Sequence, residues 1–159
     1  MSVEASNGCS GAVFPSAKGS YVLVLWLVAP QILSVGRLGQ LNFQAGYYLY
    51  VGSAFGAGGL GGRLKHHLNP SKYHWHVDYL RGVARLQEVW CRVDTRRQEC
   101  HWAMELASLP WLSYSQPGFG STDCHCVAHL LYCASADELS AARSAVEANW
   151  QLWRVTRVG

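Results

Sequence analysis

No stretch of this chain stays apolar for the ~18 residues that a membrane-spanning helix needs, so no membrane contact is expected. The opening residues, MSVEASNGCSGAVFPSAKG, have neither the basic start nor the apolar run of a secretory signal. The six cysteines are therefore expected as reduced thiols of an intracellular protein, cytoplasmic or nucleoid-associated, and not as disulfides. Charge is also scarce: 14% of residues are charged against 50% hydrophobic, which describes an ordered globule and excludes a disordered chain. The net charge of +3 gives no sweeping basic surface. Arg outnumbers Lys and suits bidentate phosphate contacts, yet composition alone fits a solvated basic face equally well. No internal repeat and no linker divides the chain, and 159 residues suffice for one domain with a core but are short for two. Residues 1–17, rich in Ser, Gly and Ala, read as a mobile leader and residues 18–159 as a single domain.

Glycine and aromatic residues concentrate between Gly46 and Arg81, GYYLYVGSAFGAGGLGGRLKHHLNPSKYHWHVDYLR. A plain scaffold segment has no need of so many polar and aromatic side chains close together, so this stretch is the expected floor of an active site. Tyr48, Tyr50 and Gly52 alternate with Tyr47, Leu49 and Val51 at the period of a strand. Tyr48 and Tyr50 then share one face, and Leu49 and Val51 the other. The chain next bends through Gly56, Gly58, Gly59, Gly61 and Gly62. From Leu60 the spacing becomes helical, with Leu60, Leu64 and Leu68 as a buried stripe and Arg63 and His67 beside it. Asn69-Pro70 ends that helix, because Pro cannot continue it and restricts the residue before it. The glycine bend lacks the Lys-Ser/Thr ending of a P-loop, and its expected role is to let the helix start close against the strand.

Elsewhere, Ser20–Val28 is almost continuously apolar and fits a central strand, with Tyr21, Leu23, Leu25 and Leu27 on one face. Gln31–Ala45 carries Gly36-Arg37-Leu38-Gly39 and reads as a hairpin. His74–Leu80 fits a short helix stopped by Gly82, and Val83–Val93 a strand with Val89, Cys91 and Val93 inward. Thr95 to Gln98 looks like a capping box, predicting a helix over 96–109. Its buried stripe would be Cys100, Ala103, Met104 and Ala107, leaving Glu99 on the border. His129–Cys133 reads as a further strand. Ser135 with Glu138 repeats the capping pattern before a helix over Leu139, Ala142 and Val146, and Trp150–Val158 as a final strand or extended tail.

This order of elements resembles the GIY-YIG nuclease superfamily. Gly19-Ser20-Tyr21 would be its first motif and Tyr50-Val51-Gly52, followed by Ser53, its second. Ser20 stands where the superfamily carries an apolar residue, and the interval between the motifs is longer than in most of its members. A closer likeness, over residues 19 to about 134, is to a compact, uncharacterised branch sometimes joined to endonuclease III-type repair glycosylases. Its members carry YYLYVGSA-like, GLGGR, HWHVDYL-like and GFGSTDCHCVAHL-like blocks, as this chain does. The resemblance implies an α/β (α+β) fold with a small, mostly antiparallel central sheet flanked by helices. It also implies endonuclease activity on nucleic acid, DNA ahead of RNA, with Mg²⁺ or Mn²⁺ as cofactor. The catalytic residues it implies are Tyr21, Tyr50, Arg63, His67 and Glu99, with Glu99 holding the metal. A free tyrosine, with a pKa of ~10, is a poor base at neutral pH, so the water-activating role stays open between Tyr21 and His67. Ser53, His74, His76 and Asp78 are the candidate substrate contacts; His74, His76 and Asp78 could equally be metal ligands, or pack and hydrogen-bond around Trp75.

Cys124-x-Cys126-x-x-His129 resembles half of a zinc site that Cys100, Asp123 or His125 could complete, although zinc spacings are usually wider. Two other function classes stay open beside the nuclease. One is a non-catalytic nucleic-acid-binding module of the same fold, and the other a zinc-stabilised domain that binds a protein partner.

Overall fold

Apolar stretches bounded by glycine, proline and asparagine set the elements of the fold. In a computed structural model, which describes residues 2–4, 13–70 and 72–158, the chain opens with β1 (Ser2–Glu4), β2 (Gly19–Leu27), β3 (Gln31–Ser34) and β4 (Gln40–Phe43). These are followed by β5 (Gly46–Ala54), α1 (Gly59–Leu68), α2 (His76–Arg81) and β6 (Arg85–Val93). The remainder is α3 (Glu99–Ala107), β7 (Ser113–Tyr114), β8 (Leu130–Cys133), α4 (Ala136–Trp150) and β9 (Arg154–Arg157). One sheet has the order β1-β9-β6-β2-β5-β8-β7, antiparallel except for the β1–β9 pair. β3 and β4 form a separate hairpin around a single 3-10 turn at Gly36–Leu38. The fold is therefore α+β, a small antiparallel sheet flanked by helices. Among the described residues no helix is long and apolar enough to cross a membrane.

The two faces of the sheet follow from strand alternation. Tyr21, Leu23, Leu25 and Leu27 join Tyr48 and Tyr50 in a core covered by α1, α2 and the β3–β4 hairpin. Val22, Val24, Leu49 and Val51 join a second core under α3 and α4. β6 changes register opposite Val24 and Leu25, so Gln87 is looped out of the pairing. That bulge moves Leu86 onto the same face as Val89 and Cys91, which plain alternation would forbid. Val93, expected inward, is 40% exposed at the strand end.

The region expected as a leader divides. Residues 1 and 5–12 lie outside the described residues. Ser2–Glu4 pairs with β9, and the segment 14–17 lies along the start of α1, with Phe14 packed on the core. That contact also revises the role of the glycine bend. Gly59 has φ +57, and a Cβ there would collide with the carbonyls of Ser16 and Ala17, so the close approach is to this segment and not to β5. The first-turn amides of α1 are used up as well: Leu60 N–H donates to Ala17 O at 2.9 Å and Gly61 N–H to Pro15 O at 2.7 Å. They are not available to cradle phosphate.

α3 also departs from its predicted shape. It begins at Glu99, not Arg96, and no capping box forms at Thr95. Asp94 instead accepts from Arg96 N–H and from the Gln98 side chain, while Gln98 N–H donates to Ser20 Oγ at 3.0 Å. The buried face is Trp102, Ala103 and Leu106, with Met104 61% exposed. Trp102 decides the rotation, because it stacks on Trp150 of α4 at 4.3 Å with the rings 2° from parallel. At the start of α4 the Ser135 cap does form, with Glu138 N–H on Ser135 Oγ, while the Glu138 carboxylate accepts from Ala134 N–H and not from the N-cap amide of a full box.

Candidate functional site

β8 begins at Leu130, opposite Tyr50, and the last bond on that side runs from Val51 N–H to His129 O. Beyond it one edge of β5 has no neighbouring strand, and a cleft of about 290 Å³ opens there. Tyr50, Ser53, Arg63, Glu99, His74 and His76, all singled out in the sequence, line it. So do Trp75, Arg97 and Asp123. Arg63 reaches in from α1, donating to Ser53 O at 3.0 Å, with its guanidinium 4.2 Å from the centre of the Trp75 ring. Glu99 reaches in from the first turn of α3, and Arg97 lies 3.8 Å from its carboxylate. Burial raises the Glu99 pKa, and Asp123 adds to the rise while Arg97 and Arg63 oppose it. Glu99 and Asp123 both line the cleft, and their carboxylate oxygens are the donors that a hard divalent cation takes.

Ser20, the odd residue of the first motif, has a clear place here. Its hydroxyl lies 3.1 Å from Ser53 Oγ and accepts from Gln98 N–H, tying β2, β5 and the approach to Glu99 together.

Tyr21 and His67 stand one layer behind the cleft wall. Both are fully buried. Gly52 makes room for Tyr21, since a Cβ at Gly52 would sit 2.5 Å from the tyrosine's Cζ and Oη. The second motif's glycine is thus the packing partner of the first motif's tyrosine. Burial raises the pKa of Tyr21 well above its ordinary value, although Arg63 pulls the other way. Tyr50 is likewise raised by burial. Tyr21 Oη is 2.7 Å from His67 Nε2, and His67 Nδ1 faces Asp78 Oδ1 at 3.7 Å. Burial lowers the His67 pKa despite Asp78, which favours the neutral ring; with Nδ1 turned to the Asp78 carboxylate as its donor, Nε2 is left to accept from the tyrosine.

Asp78 does not line the cleft, so of its expected roles the substrate contact is set aside and hydrogen bonding around Trp75 is the one seen. It is fully buried and caps α2, accepting at Oδ2 from His74 N–H (2.8 Å) and Trp75 N–H (2.9 Å), with His66 Nε2 at 3.0 Å. Burial pushes its pKa up, but these bonds and His67 outweigh it and hold the carboxyl far below its usual range. Asp78 supports the segment that presents His74 and His76. His76 Nδ1 in turn accepts from Gly120 N–H at 2.9 Å, bridging the cleft to the loop on its far side.

On that loop lies a second constellation. Cys100, Cys124, Cys126 and His129 bring their ligating atoms within 4.8 Å of one another, a Cys₃His cluster able to hold a metal ion such as zinc. Of the three candidates to complete the half-site, Cys100 does so; Asp123 lines the cleft instead, and His125 is exposed. Burial and the neighbouring Cys126 and Cys124 push the Cys100 thiol up to about 12.

The family model for the domain of unknown function DUF123 matches residues 20–151. The chain belongs to that family. No curated protein and no solved structure matches it. The span that defines the DUF123 domain here runs from β2 to the end of α4 and takes in every cleft residue and every member of the Cys₃His cluster.

Within this DUF123 domain three of the residues expected to be catalytic, Tyr50, Arg63 and Glu99, share the cleft, and two, Tyr21 and His67, lie directly behind it. The reading of the sequence did not reach Arg97 and Trp75 as cleft residues, or Asp123 as one. Arg97 and Asp123 border residues that were singled out, Glu99 and Cys124, but only the fold turns them toward a common space. The role of Ser20 carried no local signal.

Proposed function

We propose that this domain is a metal-dependent endonuclease of GIY-YIG type that hydrolyses phosphodiester bonds in nucleic acid, DNA ahead of RNA. Its setting would be repair or processing inside the cell. The observation that carries this reading is the meeting of Tyr50, Arg63 and Glu99, from distant parts of the chain, in one open cleft. Glu99 with Asp123 would hold a Mg²⁺ or Mn²⁺ ion, for which oxygen ligands are suited. When bound, that cation polarises the phosphate and stabilises the leaving oxygen. Arg63 is held in place by Ser53 O and Trp75, and supplies charge and donors to the equatorial phosphate oxygens without having to reorganise. Tyr50 is the phenol that reaches the cleft and orients the attacking water. Tyr21 acts from behind as a positioning residue, with its hydroxyl held by neutral His67. Ser53, His74 and His76 contact the nucleic-acid backbone. The soft Cys₃His set, in contrast, suits Zn²⁺ and stands outside the cleft.

One observation favours a second reading, a nucleic-acid-binding module without catalysis: the complete burial of Tyr21 keeps its phenol protonated. Plasmid nicking in Mg²⁺ or Mn²⁺ separates the two. A nuclease cuts, and Glu99→Ala stops it with the melting temperature unchanged. Wild-type protein that binds DNA with either metal present and never cuts it would overturn the hydrolytic reading.

A further inference from the structure

The four ligating atoms of the Cys₃His cluster lie within 4.8 Å of one another, and the two edges that meet at His129 have the length of those in a filled coordination sphere. Cys100 stands on the first turn of α3, Cys124 and Cys126 on the loop after β7, and His129 just ahead of β8. His129 Nε2 lies 3.6 Å from Cys100 Sγ and 3.5 Å from Cys124 Sγ. Tetrahedral zinc, with bonds of about 2.3 Å to sulfur and about 2.0–2.1 Å to nitrogen, requires S···N edges of about 3.5–3.6 Å. Both edges therefore agree with the tetrahedron before any metal is added.

The sequence adjacency of these ligands ties them to the cleft. Glu99 immediately precedes Cys100, and Asp123 immediately precedes Cys124, so each cleft carboxylate is the chain neighbour of a cluster residue. Backbone bonds close the loop at its base, through Gly118 N–H to Val127 O and His129 N–H to Phe119 O, both 2.8 Å. At its tip Cys124 N–H has only a 3.4 Å approach to Ser121 O. The tip needs an anchor other than the backbone.

We infer that Cys100, Cys124, Cys126 and His129 bind one Zn²⁺ in a closed tetrahedral site that pins the loop to α3 and fixes the position of Asp123 relative to Glu99. Four protein ligands leave no open coordination position, so the metal is structural and not the site of chemistry. The short Cys-x-Cys spacing is workable because the remaining two ligands come from α3 and from the strand entry, not from a second close pair. Binding would displace the thiol protons and hold the sulfurs as thiolates. The site stands whether or not the cleft hydrolyses anything.

The test is metal content of the full chain purified under reducing conditions. The expected result is one equivalent of zinc per chain. Cobalt substituted for it should give the thiolate charge-transfer and intense visible bands of tetrahedral S₃N ligation. Cys124→Ser with Cys126→Ser should lose the metal, and Glu99→Ala should keep it. His129→Cys, which preserves four ligands, should retain the equivalent, guarding against variants that fail for want of folding. Removing the metal with a chelator should open the loop over 115–129 to proteolysis while the circular dichroism of the sheet and helices persists. Reduced wild-type protein offered Zn²⁺ that takes up only traces would overturn the inference. So would a double serine variant that keeps its full equivalent, or a disulfide among these cysteines that survives purification under reducing conditions. Zinc-loaded protein that never cuts DNA would leave this site intact and count only against the nuclease.

Discussion

The two faces of the sheet are built from the same strands and yet differ in kind. Beneath α3 and α4, β2 and β5 contribute Val22, Val24, Leu49 and Val51, closed over by Trp102, Leu106, Val146 and Trp150. Most polar groups near that core are paired at its margins: Glu88 accepts from Trp90 Nε1 and Arg143, and Trp150 Nε1 donates to Glu105, while Trp111 Nε1 is buried there without a partner. Beneath α1 and α2 the same strands present Tyr21, Tyr48 and Tyr50, packed with His67 and Asp78. Buried polar groups of this kind are costly unless hydrogen-bonded. Here one pair is imperfect, since His67 Nδ1 and Asp78 Oδ1 have no hydrogen-bond partner and face each other at 3.7 Å. One face is thus almost wholly apolar, while the other combines an apolar core with buried polar groups next to a cleft.

If that division is right, the largest effect comes from the apolar face. Trp102→Ala removes half of the Trp102–Trp150 stack and should lower stability by about 3–5 kcal/mol, read from urea denaturation. A loss under about 1 kcal/mol would mean that this face does not hold the sheet together. Next in size is a change that should affect function alone. Glu99→Ala should lower nicking by about 10²–10³-fold, about 2.7–4 kcal/mol at the transition state, with the denaturation midpoint unmoved. Arg63→Lys should recover little of what Arg63→Ala loses, because Lys lacks the flat fork that lies over Trp75 and reaches Ser53 O.

The polar face should reveal itself through pH. Asp78→Asn weakens the bonds to His66, His74 and Trp75 and should cost about 1.5–3 kcal/mol. Asp78 has its folded pKa held below the unfolded value, so its contribution is present above about pH 4 and lost as pH falls through the folded value. His67 is also lowered on folding. The unfolded chain takes up that proton first, and stability begins to drop as pH falls below about 6.5. Urea midpoints measured down a pH series should therefore decline in two stages. His67→Gln should shrink the upper stage, to which His76 and His129 also contribute because burial lowers them too, and Asp78→Asn the lower; a flat profile in the wild type would contradict the whole account of this face.

How far these features could be read beforehand depends on whether their cause is local. Strand alternation put Tyr21 and Leu23 opposite Val22 and Val24 without any knowledge of neighbours, and the Asn69-Pro70 stop and the Ser135/Glu138 cap are equally local. Tyr50 and Arg63 were legible together because strand, glycine bend and helix follow one another within Gly46–Arg81, whereas nothing in the spacing brings Glu99 to them. What stayed hidden was tertiary. Ser20 takes the place of a cap that Thr95 seemed to supply, and the bulge at Gln87 reverses the parity of Leu86. Asp78 looked like a cleft residue because its neighbours His74 and His76 are, yet its own backbone acceptance turns it inward. β1 and β7 are too short, at three and two residues, to show a period at all.

The smallest expected effect tests the phase of α3. Helical spacing alone grouped Met104 with Cys100, Ala103 and Ala107 as a buried stripe, whereas in the folded chain Met104 points outward and Trp102 takes the buried position. The choice between these phases is a choice between burying a sulfur-containing side chain and burying an indole that has a second indole to stack on. The larger aromatic surface wins. Met104→Glu should therefore change stability by no more than about 0.5 kcal/mol, as ordinary surface substitutions do. Ala103→Glu, one residue earlier on the buried side, should unfold the domain. Were Met104→Glu the damaging change, α3 would have to turn by about 100° per residue of error, given 3.6 residues per turn. Glu99 and Cys100 would swing away from the cleft and the cluster together.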